Sequence, residues 1–480
     1  MSDVVLFYPK VESKAGLLPA GLLMIAGPLI EKGFKVKLID QRFEDDWKIK
    51  LEKELEKGPL LVGFTVMTGK QILEALAVSR IVKEKSQAKV VWGGVHASLL
   101  PEQTLKNKNI DMVVIGEGER TFLELARALK NKEDISEIKG IGCKIEDKIL
   151  LSERDGFIDL NDLSILPYHL LEDIEYYVSK KSKVTGKDAR EMALFTSRGC
   201  PHRCGFCYNM KFNRRRWRAM DAERVIKEME FLRNNFKINA FNIQDDEFFV
   251  DAARVERICK LIKEKEWKIE IYSAARVNQT ADLMSKDLLG DLVALGFLGI
   301  VFGVETGSQK ILELINKDIT YEQVIKTIDR FKEIGMMSKY CFMAGFPNET
   351  MEDFYRTTDF IYKMKERDTS VRIPPIRIFT PYPGIPLWDL CVEKGFKPPR
   401  SLEEWASFDF DTVKMPWVTK KLTKRVKNVN IMLSYLKLDP EFSSSFKYKL
   451  SLLFGRWIDF RWRNHWFNNF FEKYLIKIFS

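Results

Sequence analysis

The sequence predicts an α/β protein built as a doubly wound, flavodoxin-like parallel sheet, then a partial barrel of six strand-helix steps, then a C-terminal helical segment. Three observations carry this. Short apolar strands alternate with amphipathic helices over residues 1 to about 130. The alternation resumes near residue 192 after a connecting stretch, and beyond Pro398-Pro399-Arg400 the composition shifts. The implied domains are 1–140, a connector 141–185, a barrel 186–400 and an extension 401–480.

The first five strands read Val4 to Tyr8, Lys35 to Ile39, Leu60 to Phe64, Lys89 to Trp92 and Met112 to Ile115. Ligands of such sheets bind at the carboxyl ends of the strands, and that edge is rich in small and polar residues. It carries Thr65-Val66-Met67-Thr68-Gly69, Gly93-Gly94-Val95-His96-Ala97 and Gly116-Glu117-Gly118-Glu119. Glycines let backbone approach a large flat ligand. His96 is the one imidazole near this edge, and could equally be a loop residue without a role.

The connector holds a hairpin signal near residues 139 to 152 and a Pro167-Tyr168-His169 turn. The second set of strands is Met192 to Thr196, Ala240 to Ile243, Ile269 to Ser273, Gly299 to Val304, Ser338 to Ala344 and Ile373 to Phe379. Barrels of this kind place chemistry on loops after the strands. The loop after the first strand holds Cys200, Cys204 and Cys207, three cysteines in eight residues. Three thiolates suit a cubane [4Fe-4S] cluster with one iron left open for a small molecule, since an electron carrier would use a fourth cysteine. Zinc normally takes four protein ligands in a structural site. No fourth cysteine lies near, and His202, inside the loop, is expected to point outward. A zinc site or three unrelated thiols are the alternatives.

The C-x3-C-x2-C spacing, within Ser197-Arg198-Gly199-Cys200-Pro201-His202-Arg203-Cys204-Gly205-Phe206-Cys207-Tyr208, closely resembles the radical S-adenosylmethionine (SAM) enzymes. The resemblance covers about residues 1 to 400. It implies that SAM binds the open iron and is cleaved reductively to a 5'-deoxyadenosyl radical, with electrons from an external donor such as a flavodoxin or ferredoxin. It further implies that Asp245 or Asp246 holds the SAM ammonium, that Ser273 and Arg276 serve the ribose hydroxyls and carboxylate, that Glu305 and Ser308 add a carboxylate with small neighbours, and that Gly345 to Pro347 lies beside adenine. Each is weak alone, because acids after strands are more often helix caps.

The three glycine loops, with Leu18-Pro19-Ala20-Gly21-Leu22, resemble the cobalamin-binding domain that precedes many radical SAM barrels. Thr65, Met67, Gly93, Gly94, His96, Gly116, Glu117 and Gly118 are its implied contacts. The D-x-H-x-x-G motif that supplies a histidine to cobalt in some relatives is missing: the chain reads Asp40-Gln41-Arg42-Phe43-Glu44-Asp45. Cobalamin is therefore expected without that histidine, and a sheet holding no cofactor is the alternative, as such folds host many functions.

The expected activity is cobalamin-dependent C-methylation of an unactivated carbon. The alternative is cobalamin-independent cyclisation, coupling or rearrangement. An RNA-modifying iron-sulfur protein is disfavoured, because methylthio-transferring relatives carry a further cysteine trio in the first domain and residues 1 to 140 have no cysteine.

The other four cysteines, Cys143, Cys259, Cys341 and Cys391, are scattered singly. With no signal peptide pattern and an oxygen-labile cluster, they point to the reducing cytoplasm. The chain has 480 residues, 45% of them apolar, and net charge +10, which permits an anionic partner without naming one. No apolar run of about 18 residues suggests a transmembrane helix.

Residues 441 to 480 hold thirteen aromatics and seven Lys or Arg against three acids. Such a segment fits single-stranded nucleic acid, a membrane interface or a packed helical cap. The membrane reading predicts peripheral contact with the inner face of the membrane and a lipid or lipid-linked substrate, in place of an ordinary small molecule.

Overall fold

β1 (Val4–Tyr8) lies one strand in from the edge of the first sheet, flanked in parallel by β2 (Val36–Asp40) and β3 (Leu61–Thr65), with β4 (Lys89–Gly93) and β5 (Met112–Val114) following. Helices cover both faces, so Val4, Val5, Leu6 and Phe7 are all buried, which is why the strand is a continuous apolar run. The structure is a computed structural model that describes residues 2–11, 17–145, 148–182, 184–408, 414–437 and 446–468, with backbone alone for 446–453.

The hairpin assigned to the connector joins this sheet instead. β6 (Ile141–Ile145) pairs antiparallel with β5, and β7 (Lys148–Leu151) with β6, giving seven strands in the order 2-1-3-4-5-6-7. Ile141 and Cys143 bury against the sheet core, so the first unit runs past residue 140 to about Leu151.

The second sheet begins with a short edge strand, β8 (Ser179–Lys181), antiparallel to β9 (Asp188–Leu194). Its polar Ser-Lys-Lys sequence carries no apolar signal and suits an exposed edge. A two-residue ribbon, β10 (Ser197–Arg198) against β11 (Arg218–Ala219), brackets the cysteine loop. The barrel then runs through β12 (Ala240–Ile243), β13 (Glu270–Ala275), β14 (Phe297–Glu305), β15 (Met337–Ala344) and β16 (Arg377–Ile378), all parallel to β9. Along β15 burial alternates. Ser338, Tyr340, Phe342 and Ala344 are buried, while Lys339, Cys341 and Met343 are half-buried and line a cavity.

Two apolar cores hold the chain together, and each crosses the domain boundary. One includes Leu23 of the first domain, Leu163 of the connector, Phe302 of the barrel and Trp462 of the tail. The other lies on the opposite face of the first sheet, where Trp92 and Val62 share a core with Phe346, Phe379 and Trp405.

The C-terminal helix Phe446–Arg463 packs on the barrel helix Met351–Arg367, and the residues just after it bond to the helix Lys420–Leu433. Trp462 is fully buried, and its indole N–H donates to the Thr358 carbonyl at 2.9 Å. The Tyr362 hydroxyl donates to Asp459 at 2.7 Å, and Asn428 donates to the Phe467 carbonyl at 2.6 Å. These residues make a cap, which corrects a purely interfacial reading of the segment. Trp457, Phe460 and Trp466 stay 37%, 50% and 53% exposed and pack on one another. The remaining tail aromatics, Phe454 apart, lie outside the residues whose side chains are described. Among the described residues no helix is long and apolar enough to cross a membrane.

Candidate functional site

The cysteine loop is fastened by the acids that follow β12. Buried Asp245 accepts the Thr196 amide (2.6 Å), the Thr196 hydroxyl (2.6 Å) and the Ser197 hydroxyl (2.7 Å). Burial raises its carboxyl above the usual range, and these hydrogen bonds pull against that rise. Asp246 accepts the Gly199 amide at 2.8 Å. The pair expected near the SAM ammonium thus holds the loop, and Asp245 has its lone pairs committed to it. Gly199 sits at φ +83°, and a Cβ there would collide with the Arg216 carbonyl, so only glycine fits before the first cysteine.

Cys204 is buried, Cys200 and Cys207 are half-buried, and all three are free thiols. Burial pushes Cys200 up to about 12 and Cys207 up to about 11, so binding of a metal must displace their protons. Among the described residues no three His, Cys, Asp or Glu side chains gather closely enough to hold one metal ion. Thiols spread along one loop suit a cluster in which each of three irons takes one thiolate. His202 does not point freely outward: its Nε2 is buried without a hydrogen-bond partner, and burial, with Arg276 and Lys317 nearby, lowers it to about 4.

The strand ends beside the loop supply charge. Arg276, after β13, places Nη1 3.0 Å from the Cys204 sulfur and donates its other arm to the Lys317 carbonyl. Lys317 is itself buried and pairs with Glu305 at 2.8 Å. Glu305 ends β14 in the left-handed region, φ 75°, where the register with β15 shifts. Burial raises Glu247 to about 7, with Arg276 and Lys317 opposing.

A cavity of about 430 Å³ opens beside these groups, walled by Phe206 of the cysteine loop, Glu305, Lys339, Cys341, Phe379 and Tyr382. Ser273 is buried, and among the described residues its hydroxyl makes only a 3.4 Å contact to the Ala274 carbonyl. Ser308 faces away, donating to Asp353 at 2.6 Å. Gly345 gives its amide to Glu349 and its carbonyl to the Trp417 indole at 2.9 Å, which fixes the turn leading to buried Pro347.

A second cavity, about 270 Å³, lies where the first sheet meets the cysteine loop. Thr65, Gly93, Gly94, Gly116, Glu117 and Gly118 form its sheet side. Ser197, Arg198, Tyr208, Phe212, Asn213 and Asp246 form the facing side. An apolar cavity with a glycine floor fits one face of a corrin. A Cβ at Gly94 would meet the Val66 backbone at 2.9 Å, and Gly94 and Gly116 both hold positive φ, +88° and +96°, so these two floor positions disfavour any larger residue.

Two expected corrin contacts fall elsewhere. Met67 is half exposed and does not line the cavity. His96 is fully buried on the other side of its loop, sharing a 2.9 Å hydrogen bond through Nδ1 with Thr68 and packing edge-on against Trp405. Trp405 comes from a distant segment, so sequence position alone could not reveal this. Burial lowers His96 to about 4, and it stays neutral. At the end of β2, where a motif histidine would stand, Arg42 is clamped by Asp40 at 2.6 Å, and Tyr177 donates to the same carboxylate at 2.8 Å.

Sequence reading missed Lys317, Phe206, Tyr208 and the pairing of Arg198. Arg198 bonds Glu117 at 3.0 Å and also pairs with Glu119, and Arg218 joins Glu117 at 2.8 Å. Burial tends to raise Glu117, but the two arginines more than offset it and hold its carboxyl below the usual range. The runs Ser197-Arg198 and Gly116-Glu117 were visible, but nothing local says that they touch.

Comparison with known proteins adds the following. The family model of the radical SAM superfamily matches residues 194–361, and that of the B12 binding domain matches residues 11–126. An uncharacterized methyltransferase of Pyrococcus horikoshii is 32% identical over 378 residues, 78% of each chain. An anaerobic magnesium-protoporphyrin IX monomethyl ester cyclase of Synechocystis is 26% identical over 386 residues, 78% of this chain and 73% of the relative. The radical SAM methyltransferase TsrM of Kitasatospora setae, solved with cobalamin and a [4Fe-4S] cluster, superposes with TM-score 0.65 at 20% identity, covering 83% of this chain and 76% of that one. At that identity the superposition supports the fold alone.

Proposed function

Because the chain belongs to the radical SAM superfamily, in the branch with a B12-binding domain ahead of the barrel, we propose that it is a cobalamin-dependent methyltransferase acting at an unactivated carbon. One observation carries the reading: the glycine loops and the cysteine loop wall the same 270 Å³ cavity, so a corrin there would face the cluster end of the barrel. Bound together, cluster, SAM and cobalamin would supply a hydrogen-abstracting radical and a transferable methyl group.

The chain's own residues bind, orient and shield. Cys200, Cys204 and Cys207 would ligate the [4Fe-4S] cluster. Arg276, 3.0 Å from the Cys204 sulfur, sets a guanidinium beside the loop. Phe206 and Glu305, on the 430 Å³ cavity, would receive SAM, with Lys317 fixing the Glu305 carboxylate at 2.8 Å. Thr65, Gly93, Gly94, Gly116, Glu117 and Gly118 would hold cobalamin, and the β2 end, closed by Asp40 and Arg42, offers no histidine to cobalt. Glu247, Lys317 and Glu305 are all buried, which keeps water from this end of the barrel and strengthens the attraction within the Lys317–Glu305 pair.

The test is anaerobic reconstitution with iron, sulfide and cobalamin, then metal analysis and incubation with methyl-labelled SAM. Four irons and one cobalt per chain, with label in the product, support methylation. Bound iron without bound cobalt would favour the cyclisation, coupling or rearrangement reading, which the cyclase relative keeps open. A lipid or lipid-linked substrate, and peripheral membrane contact in the cytoplasm, have narrower support: the exposed Trp457, Phe460 and Trp466 cluster, beside exposed Arg456 and Arg463.

A further inference from the structure

Arg214, Arg215 and Arg216 follow the cysteine loop and are all exposed. Three charges in a row are usually just a solvated face, but these three are tied to the loop. The Arg216 carbonyl lies against Gly199, next to Cys200. Arg215 donates its Nε to the Pro201 carbonyl at 3.1 Å, one residue beyond that cysteine. Arg214 and Arg215 both occupy the left-handed region, at φ 49° and 59°, which is uncommon for arginine. Among the described residues no carboxylate pairs with any of the three, whereas nearby Arg203 and Arg218 both have acidic partners. The half-buried guanidinium of Arg154 is pulled down by burial and then by Arg214, so positive charge is crowded on this side. Phe157, beneath Arg216 at 5.7 Å and Arg218 at 4.3 Å, stacks guanidinium groups and steadies the edge.

We propose that this basic edge is the docking surface for an acidic one-electron carrier protein that reduces the cluster. The proposal rests on the radical SAM reading, which requires one electron from outside per SAM cleaved. One electron leaves the reduced carrier and one reaches the cluster, with no proton or group transferred. The edge suits this role because the Pro201 carbonyl it holds adjoins Cys200, while the opposite side of the loop faces the interior cavities. Unpaired surface charge of one sign steers an oppositely charged partner and lets it arrive in register. A lipid headgroup or nucleic acid could also meet arginines, but neither explains why the charges are fastened to a redox loop.

The experiment uses the reconstituted full chain and a reduced acidic flavodoxin. Cluster bleaching is followed in stopped flow, and binding of the oxidised flavodoxin is measured separately, at about 50 and about 300 mM salt. The Arg214→Gln/Arg216→Gln double variant should lose about tenfold in binding and in second-order reduction rate at low salt, with a flattened salt dependence. The Arg214→Lys/Arg216→Lys variant should recover most of both. Dithionite, which needs no docking surface, should reduce the cluster at the same rate in every variant. Unchanged flavodoxin binding in the Gln variant overturns the proposal. So does loss of binding to anionic vesicles or RNA while flavodoxin still binds. If dithionite finds no reducible cluster in the unsubstituted protein, the radical SAM reading itself fails.

Discussion

Arg198, two residues before the first cluster cysteine, holds Glu117 of the neighbouring domain at 3.0 Å. The pair joins the loop that would carry iron to the loop that would carry the corrin. Glu117→Gln leaves Arg218 and Arg198 short of a buried anion, and removing one partner of such a pair costs about 3 kcal/mol. Calorimetry of the apo chain should show that loss, and cobalamin should bind more weakly. An unchanged melting temperature would mean that the domains are held together without this contact.

Cys204→Ala should lower iron content and reduce 5'-deoxyadenosine formation to background, since the remaining two thiols cannot hold the cluster's third corner. Normal SAM cleavage by this variant would defeat the cluster assignment. Gly199→Ala should reach a similar end by another route. The added Cβ strikes the Arg216 carbonyl and the position is left-handed, so the loop must distort before metal can enter.

Glu305→Gln should weaken SAM binding about tenfold while iron content stays at the unsubstituted level. The change strips the negative charge opposite buried Lys317. Equilibrium dialysis with SAM measures it. Equal affinity would show that SAM is not received at the end of β14.

His96→Asn tests the corrected role of this residue. If His96 is a packing residue, bound cobalamin keeps its absorption spectrum in the variant. A second readout follows from its ionisation. Burial lowers the histidine to about 4 in the folded chain, so the unfolded chain binds more protons between about 6.5 and about 4. Stability should therefore fall as pH drops through that window, by up to about 3 kcal/mol, and His96→Asn should remove most of this slope. An unaltered acid profile would show that the ring is not neutralised by burial.

Trp462→Ala should cost about 4 kcal/mol, because a fully buried indole and its bond to the Thr358 carbonyl are both lost. Replacing Trp457, Phe460 and Trp466 by Ser should leave folding nearly unchanged. It should also reduce sedimentation with vesicles of acidic lipid if that cluster contacts membrane. Equal sedimentation would remove the support for a lipid substrate.

The parallel strands of both sheets were legible because each is an apolar run bounded by turns, and the cysteine spacing was legible because it is local, whereas the polar edge strand Ser179–Lys181 gives no such signal. The destination of the 141–151 hairpin was not, since antiparallel pairing to Met112–Val114 leaves no mark in either segment. Asp245 stands after a strand, as a ligand would, and only its three hydrogen bonds from Thr196 and Ser197 show that it is occupied. The tail's aromatic pattern could not separate Trp462, which lies under the cap, from Trp466, which faces water. The two are four residues apart, and the chain has left the helix by the second.

Each of the two apolar cores draws side chains from both sides of the domain boundary, Leu23 with Phe302 and Trp92 with Phe346. Neither half can then keep its interior dry on its own, and the molecule should melt in a single step. Cutting the chain at the connector would yield sticky fragments instead of working modules. Grafting a corrin domain from a relative would succeed only if the graft brought its share of the barrel's lining with it.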